Sequence, residues 1–171
     1  MVPAGLADVV PWRTWTSAAE DLLRLLHQHV RWDLWMVSRV VDDQQIVLVS
    51  YPEGMLREGA TLPWERSLCR QMVEGNAPRL ATVTAAVPAY AGLTDGPLRE
   101  VAAYVGIPLV APNLTLFGSL CGVAFRAKPR SAARELVVVE TAARMLSTLM
   151  LAGLEPPEPA ASVPAPRHPT A

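Results

Sequence analysis

Residues 104–125 read YVGIPLVAPNLTLFGSLCGVAF, and this stretch constrains the fold more than any other part of the chain. Apolar and β-branched residues fill both of its halves, and Pro112 and Asn113 supply the chemistry of a turn between them. The pattern predicts strands over 102–111 and 115–126 that pair as an antiparallel hairpin. We therefore expect a core built on a sheet whose neighbouring strands run in opposite directions.

The segment RWDLWMVSRVVDDQQIVLVSY, residues 31–51, has the same organisation. Two runs rich in aromatic and β-branched residues flank a polar turn, which predicts strands over 32–41 and 45–51 in a second hairpin. A shorter apolar run predicts one more strand over 80–83. The stretch 84–98 is rich in small and turn-forming residues and predicts a long loop, a feature that is often functional in compact domains.

Three segments have the pattern of helices. The sequence SAAE is a capping-box pattern that opens a helix over 17–30. A second helix is predicted between Pro63, which suits a first helical turn, and the stop signal at Gly75. Ser131 is the predicted N-cap of a last helix that runs to Leu151.

The last helix is apolar around much of its circumference. One apolar stripe is sufficient to pack on a sheet, so a second stripe predicts a second partner for this helix. The first stripe contains Leu136, Val139, Ala143, Leu146 and Met150, and the second contains Val138, Ala142, Met145 and Leu149.

The predicted fold class is α+β, with a central antiparallel sheet and the N- and C-terminal helices together on one of its faces. We divide the chain into an irregular lead-in at 1–16, a folded domain at 17–152 and a disordered tail rich in proline and alanine at 153–171.

Composition excludes several classes of protein. The formal net charge is −1, so no basic excess is present to bind nucleic acid over the whole surface. No apolar run reaches the roughly 18 residues that a membrane span needs. The N-terminus lacks the pattern of a signal peptide, and two cysteines are too few for a disulfide scaffold. We expect a cytoplasmic protein that binds neither nucleic acid nor membrane.

Four phrases in this order resemble the GAF domain, a small α+β sensory module of signalling proteins. They are DLWMVSRV at 33–40, SLCRQMVEGNAPRLA at 67–81, VPAYAG at 87–92, and the hairpin stretch at 104–125. Gly106 and Gly118 occupy the family's characteristic glycine positions before and after the last hairpin turn. The resemblance covers 17–152 and is greatest to actinobacterial GAF domains that are attached to diguanylate cyclase or other signalling output domains.

The resemblance implies terminal helices that form a dimer bundle on one face of the sheet, and a ligand pocket on the other face under the middle helix and the long loop. It also implies a non-enzymatic sensory or regulatory domain of bacterial signal transduction. Such a domain binds a small molecule or senses redox state, and signals through a homodimer of helices 17–30 and 131–152. The sequence contains no GGDEF-like loop and no kinase or phosphatase signature, so we expect a separate output domain or signalling partner.

Seven residues are candidates for the ligand-binding site that the resemblance implies. They are Trp35, Arg66, Cys69, Arg70, Tyr90, Tyr104 and Cys121. Trp32 and Trp35 are three positions apart on a predicted strand and are expected to face opposite sides of the sheet, so at most one of them lines the pocket. The alternative interpretation is that the aromatic rings are ordinary sheet packing and the arginines are solvated.

The two cysteines admit different interpretations. Cys69 is expected early in the second helix, where Arg66 and Arg70 are placed to lower its pKa. GAF enzymes that reduce free methionine sulfoxide place a catalytic cysteine in a similar segment, with a second cysteine in the following loop. That loop reads VPAYAG here and has no cysteine. The simplest interpretation is that Cys69 and Cys121 are buried structural residues.

Three functions remain open from the sequence: a GAF sensor, a thiol-dependent free methionine sulfoxide reductase that uses Cys69, and a degenerate dimerisation module without ligand. The ligand and any cofactor stay unidentified. Cys69 is followed by arginine rather than by the histidine that usually accompanies bilin attachment. His27 and His29 are on a helix that is expected to pack away from the pocket, and no histidine–cysteine cluster has zinc spacing.

Overall fold

The computed structural model describes residues 1–93 and 95–159. In this part of the chain, the α-helices are α1 (Trp15–Val30), α2 (Leu68–Val73), α3 (Pro88–Ala91) and α4 (Leu136–Leu151). The strands are β1 (Leu34–Val41), β2 (Gln44–Tyr51), β3 (Thr61–Pro63), β4 (Leu80–Ala81), β5 (Ala103–Val110) and β6 (Leu116–Ala124). Short 3₁₀ helices span Ala4–Val9, Trp64–Arg66, Thr84–Ala86, Gly96–Leu98 and Arg130–Glu135.

The six strands form one sheet in the order β3-β2-β1-β6-β5-β4, and every neighbouring pair is antiparallel. The predicted α+β fold class and both predicted hairpins are confirmed. Asp42 and Asp43 form the first turn with φ values of 49° and 60°. Two successive residues with positive φ match the right-handed twist of the strands, as in the turns that hairpins favour.

The helix boundaries differ from the predicted ones at two places. Helix α1 begins at Trp15 because the hydroxyl of Thr14, rather than that of Ser17, accepts the hydrogen bond of the N-cap, from the backbone N–H of Ser17 at 3.1 Å. Ser131 does not cap the last helix, since it lies inside the 3₁₀ helix Arg130–Glu135 and α4 begins only at Leu136.

The predicted single helix after Pro63 is wrong. Pro63 ends the edge strand β3, which the sequence analysis did not predict, and a 3₁₀ turn follows. Ser67 then takes an extended conformation, with φ −82° and ψ 137°, and caps α2 by accepting from the N–H of Cys69. An extended N-cap interrupts the helical backbone, so α2 has only six residues.

Helices α1 and α4 cover the same face of the sheet, as predicted, and we call this side the helix face. The indole N–H of Trp15 donates to the carbonyl of Leu146 at 3.1 Å and joins the two helices. The larger of the two apolar clusters lies between these helices and the sheet. The first predicted stripe of α4 faces this core, whereas Val138 and Met145 of the second stripe are 46% and 37% exposed.

The opposite side of the sheet is covered by α2 and α3, and we call it the cysteine face. Its apolar cluster is smaller and includes side chains from both helices and from β1, β5 and β6. The chain after α4 returns to the helix face, where Leu154 packs partly against the core. Residues 160–171, most of the predicted disordered tail, lie outside the described residues.

Candidate functional site

Cys69 and Cys121 meet on the cysteine face, although they come from distant parts of the chain. Cys69 is the second residue of α2, and Cys121 lies inside β6. The two side chains are 3% and 2% exposed. The two thiols lie close enough for each to shift the pKa of the other, and both cysteines are free in this structure.

Further donors surround the sulfur of Cys69. The Tyr104 hydroxyl donates to Cys69 Sγ at 3.1 Å, and the Gln45 amide donates to it through Nε2 at 3.2 Å. Hydrogen bonds become stronger when the acceptor carries a charge, so several donors on one sulfur favour its thiolate form. The chemistry that this arrangement can perform is that of a stabilised, buried thiolate beside a second thiol.

Gln45 links this sulfur to a buried polar network. Its Nε2 also donates to Ser38 Oγ at 2.8 Å and approaches Ser119 Oγ at 3.4 Å. The Ser67 hydroxyl donates to Gln45 Oε1 at 2.5 Å and accepts from the backbone N–H of Cys69 at 3.0 Å. Because Ser67 engages the amide oxygen, the amide nitrogen of Gln45 is directed at Cys69.

Two tyrosines fill the space where the sequence resemblance places a ligand pocket. The rings of Tyr90 and Tyr104 pack edge to face with centroids 5.2 Å apart, and both side chains are at most 1% exposed. Tyr90 donates its hydroxyl to the carbonyl of Pro78 at 2.5 Å. Gly106 pairs with Cys121 in the sheet, and a Cβ at Gly106 would collide with the Tyr104 hydroxyl. The glycine therefore lets the ring of Tyr104 reach Cys69.

The two cysteines differ in acidity. The hydrogen bond from Cys121 is the largest cause that lowers the pKa of Cys69, to about 6, with further contributions from Ser119, Tyr104 and Gln45; burial acts in the opposite direction. The same bond and burial raise the pKa of Cys121 well above its ordinary value. Burial also raises the pKa of Tyr104. The proton thus stays on Cys121 and the negative charge on Cys69.

Arg66 and Arg70 do not contribute to this shift, contrary to the sequence-based expectation. Arg66 Nη2 forms a 2.7 Å ion pair with Asp95 Oδ1, and both side chains are mostly exposed. Arg70 Nε pairs with Glu74 Oε1 at 2.7 Å on the surface of α2. The acidity of Cys69 arises from neutral hydrogen-bond donors rather than from a nearby cation.

The structure places Trp35 away from the other candidates. Trp35 pairs with Gly122 in the sheet and its ring lies over that glycine on the helix face. Trp32 precedes β1 and packs on the same face, with its ring centroid 6.3 Å from that of Trp35. The prediction that these two rings face opposite sides is wrong, because Trp32 is not part of the strand and strand alternation does not apply to it.

Open grooves of about 330 to 660 Å³ occur on the surface of the described residues. None of these five grooves is lined by Cys69, Cys121, Tyr90 or Tyr104. Within the same part of the chain, no group of three or more His, Cys, Asp or Glu side chains is placed to hold a metal ion. None of the described helices has the length and apolarity that a bilayer crossing requires.

Comparison with solved structures identifies the fold. A free methionine-R-sulfoxide reductase from Neisseria meningitidis, solved with its substrate, matches with a TM-score of 0.61 and 14% identity over 80% of this chain and 77% of that one. The GAF domain of a two-component sensor histidine kinase from Bacillus halodurans matches with a TM-score of 0.56 and 16% identity, covering 81% and 97%. The GAF domain of a phosphoenolpyruvate-protein phosphotransferase from Acinetobacter matches with a TM-score of 0.60 and 10% identity, covering 81% and 82%.

The chain has the fold of a GAF domain. No family model and no curated protein sequence matches it. At these identities, the structural neighbours establish the fold alone. The actinobacterial subtype and the neighbouring output domains stay predictions.

The sequence did not indicate four residues of the buried polar network around Cys69. Ser38, Gln45, Ser67 and Ser119 were not among the candidates, although each is at most 6% exposed. Ser38 and Ser119 are polar residues inside otherwise apolar strands, and they pair directly with each other across β1 and β6. Polar residues at these positions could have indicated a buried polar network from the sequence. Gln45 is the first residue of the predicted strand 45–51, and nothing in its local sequence indicates that its side chain is buried.

Proposed function

We propose that this chain is a non-enzymatic regulatory GAF domain of bacterial signal transduction that responds to oxidation of the Cys69–Cys121 pair. One observation carries the proposal. The Cys69 sulfur accepts hydrogen bonds from Tyr104 and Gln45, and Cys121 lies close enough for each thiol to shift the pKa of the other. A nucleophilic thiolate beside a resolving thiol is the arrangement that reversible disulfide formation needs.

The oxidant in this proposal is a peroxide. The Cys69 thiolate attacks one peroxide oxygen, the O–O bond breaks, and the other oxygen leaves and takes a proton. The product is a sulfenic acid on Cys69. The sulfur of Cys121 then attacks Cys69 Sγ, the S–O bond breaks, and the oxygen leaves as water with the Cys121 proton. With hydrogen peroxide, two thiols and one peroxide give one disulfide and two waters.

Access to the buried pair requires local opening of α2. This helix has six residues, and the Arg66–Asp95 ion pair beside it is exposed to solvent. Short helices with few buried contacts open at lower free energy than core elements. Closure of the S–S bond at about 2.05 Å would then draw α2 towards β6 and remove the charge that the surrounding donors solvate.

We propose that the structural change caused by oxidation on the cysteine face is transmitted to the helix face through β6. Cys121 lies between Leu120 and Gly122, and the side chain of Leu120 is fully buried in the core under α1 and α4. A shift of β6 changes the surface on which α4 rests. The proposed output is a homodimer through α1 and α4, supported by exposed apolar residues of these helices at Leu25, Val137, Val138, Met145 and Leu151.

The experiment that tests the sensor is treatment of reduced protein with hydrogen peroxide, followed by peptide mapping without reductant. We expect an intramolecular Cys69–Cys121 disulfide, and sulfenic acid trapped by dimedone on Cys69 in Cys121→Ser. Cys69→Ser should leave Cys121 reduced, since burial still raises the pKa of the Cys121 thiol in this variant and keeps it a poor nucleophile. Oxidation confined to intermolecular disulfides, or equal reactivity of the two thiols, would refute the proposal.

The reductase alternative is tested in the same preparation. The structural neighbour from Neisseria meningitidis is a free methionine-R-sulfoxide reductase. Cys69 lies in a segment similar to the one in which GAF enzymes of this kind are expected to carry their catalytic cysteine. Cys69 is however 3% exposed, whereas an amino-acid substrate needs a cavity that reaches the sulfur. We expect no turnover of free methionine sulfoxide with thioredoxin as reductant. Turnover that is lost in Cys69→Ser would establish the reductase and overturn the non-enzymatic proposal.

A further inference from the structure

A groove of about 490 Å³ lies between the C-terminus of α1 and the segment that leads into α4, and neither cysteine lines it. We call it the basic groove. It is lined by His29, Val30, Arg31, Lys128, Pro129, Ser131, Ala132, Arg134 and Glu135. Three of these side chains are cations at neutral pH and one is an acid, so the lining has a net positive charge.

The positive charge extends beyond the groove along the chain. Residues 126–134 read RAKPRSAAR, with four cations and no acidic residue. Arg126 and Arg130 are exposed next to the lining residues. The whole chain has a formal net charge of −1, so this concentration of cations is local.

These cations have no carboxylate partner within ion-pairing distance in the described part of the chain. That holds for Arg31, Arg126, Lys128, Arg130 and Arg134, whereas five other arginines form ion pairs at Arg24, Arg39, Arg66, Arg70 and Arg79.

Two acids of these segments accept hydrogen bonds from neutral donors. Glu135 Oε2, in the lining itself, accepts from the indole N–H of Trp32 at 3.0 Å, and Asp33 Oδ2 accepts from the backbone N–H of Phe125 at 2.8 Å. Because the lining has three cations and one acid, the groove keeps a net positive charge.

Lys128 is held in place at this groove. Its Nζ donates to the carbonyl of Arg31 at 3.1 Å and lies 5.8 Å from the ring centroid of Trp32. Its backbone N–H donates to the carbonyl of Thr82 at 2.9 Å. A lysine already ordered in this way loses less side-chain entropy when an anion binds.

Arg31 occupies a backbone position that favours glycine. It ends α1 in the left-handed conformation, with φ 59° and ψ 38°. Glycine or asparagine usually takes this position, since a side chain crowds the following carbonyl there. An arginine in an unfavourable backbone conformation points to a role for its side chain outside folding.

We propose that the basic groove docks an acidic segment of a partner protein, whose carboxylates pair with Arg31, Lys128 and Arg134. Pro129 is exposed and gives the groove apolar surface for the rest of the segment, next to the buried side chains of Val30 and Ala132. Nucleic acids and anionic membranes need positive charge over a wider surface than one groove of a chain with net charge −1. The proposal is independent of the redox function.

The test uses a short fluorescein-labelled peptide of alternating glutamate and leucine, with fluorescence anisotropy as readout. We expect saturable binding that weakens as salt is raised. The double substitution Lys128→Glu with Arg134→Glu should weaken binding by about tenfold or more. The matched control is Arg57→Glu with Arg144→Glu, which makes the same change in net charge at two other arginines without ion pairs and should leave binding unchanged.

Arg31→Gly separates binding from folding. We expect a higher Tm, because glycine relieves the left-handed conformation, together with weaker peptide binding. Three results would overturn the proposal. The peptide does not bind, both double variants lose the same amount of binding, or Arg31→Gly binds more weakly and also has a lower Tm. Tighter binding of single-stranded DNA or of phosphatidylserine vesicles than of the peptide would assign the groove to a different partner and would also overturn it.

Discussion

The two faces of the sheet are built from the same strands, yet different interactions attach the covering helices to each face. On the helix face, Trp15, Leu120 and Leu146 are fully buried in a large apolar core between the sheet and two helices of sixteen residues. On the cysteine face, a helix of six residues covers a network of hydroxyl, amide and thiol groups joined by directional hydrogen bonds. Apolar burial tolerates small shifts, whereas a hydrogen-bonded network depends on the protonation and redox state of its members. The helix face therefore stabilises the fold by apolar burial, whereas the interactions on the cysteine face change with the protonation state of Cys69.

The sharpest test of this comparison is truncation of one leucine on each face. Leu146→Ala on the helix face should lower the free energy of unfolding by about 3–5 kcal/mol, because the packed helices cannot collapse into the cavity. Leu68→Ala, at the start of the short α2, should lower it by about 2 kcal/mol, since α2 can move to fill the space. Urea denaturation measures both. Equal losses would show that α2 is as rigidly packed as α4.

The pH dependence of the free energy of unfolding is expected to arise from the cysteine face. The pKa of Cys69 is lowered from 9.0 to about 6, so the unfolded state binds more protons than the folded state between these values. Stability should rise with pH across this window by up to about 1.4 kcal/mol per pH unit, and the gain is lost as pH falls through 6. Above pH 9 the raised pKa of Cys121 reverses the slope. Urea midpoints under reducing conditions measure this, and the rise between pH 6 and 9 should be absent in Cys69→Ala.

A matched pair of tyrosine substitutions refines the account of the cysteine face. Tyr104→Phe removes a donor to Cys69 and should raise its pKa, seen as a shift of the pH profile of iodoacetamide alkylation in Cys121→Ser protein. The loss of one buried hydrogen bond should also lower stability by about 1 kcal/mol. Tyr90→Phe removes the bond to Pro78 instead and should leave the alkylation profile of Cys69 unchanged. Identical profiles in both variants would exclude Tyr104 as a source of the acidity.

The smallest expected change in stability is at the outer side of the helix face. Met145→Glu alters an exposed side chain and should change the free energy of unfolding by no more than about 0.5 kcal/mol. If α1 and α4 form the proposed homodimer, the same substitution should convert a dimer into a monomer in sedimentation equilibrium. Met55→Glu, in the loop after β2, makes the same substitution at an exposed methionine outside both helices and provides a charge-matched control. A wild-type protein that stays monomeric at high concentration would rule out the dimer.

The order of strands and helices was largely predictable, because it depends on patterns that are local in the chain. The apolar runs flanking Asp42–Asp43 and Pro112–Asn113 specify two hairpins whatever the rest of the chain does. The region between Pro63 and Gly75 was predicted less well. There, one extended residue at Ser67 divides the segment into a strand, a turn and a short helix, and its conformation depends on a contact with Gln45 from another strand.

The antiparallel sheet and the two terminal helices follow from local sequence, since turn residues and apolar periodicity act over a few neighbouring positions. Which side chains meet depends instead on the folded domain as a whole. It brought Cys69 beside Cys121, turned Trp35 to the opposite face and placed Arg31 beside Lys128. A contact across a sheet depends on strand register and on the face that each side chain occupies. Both are set by the packing of the whole domain rather than by local sequence.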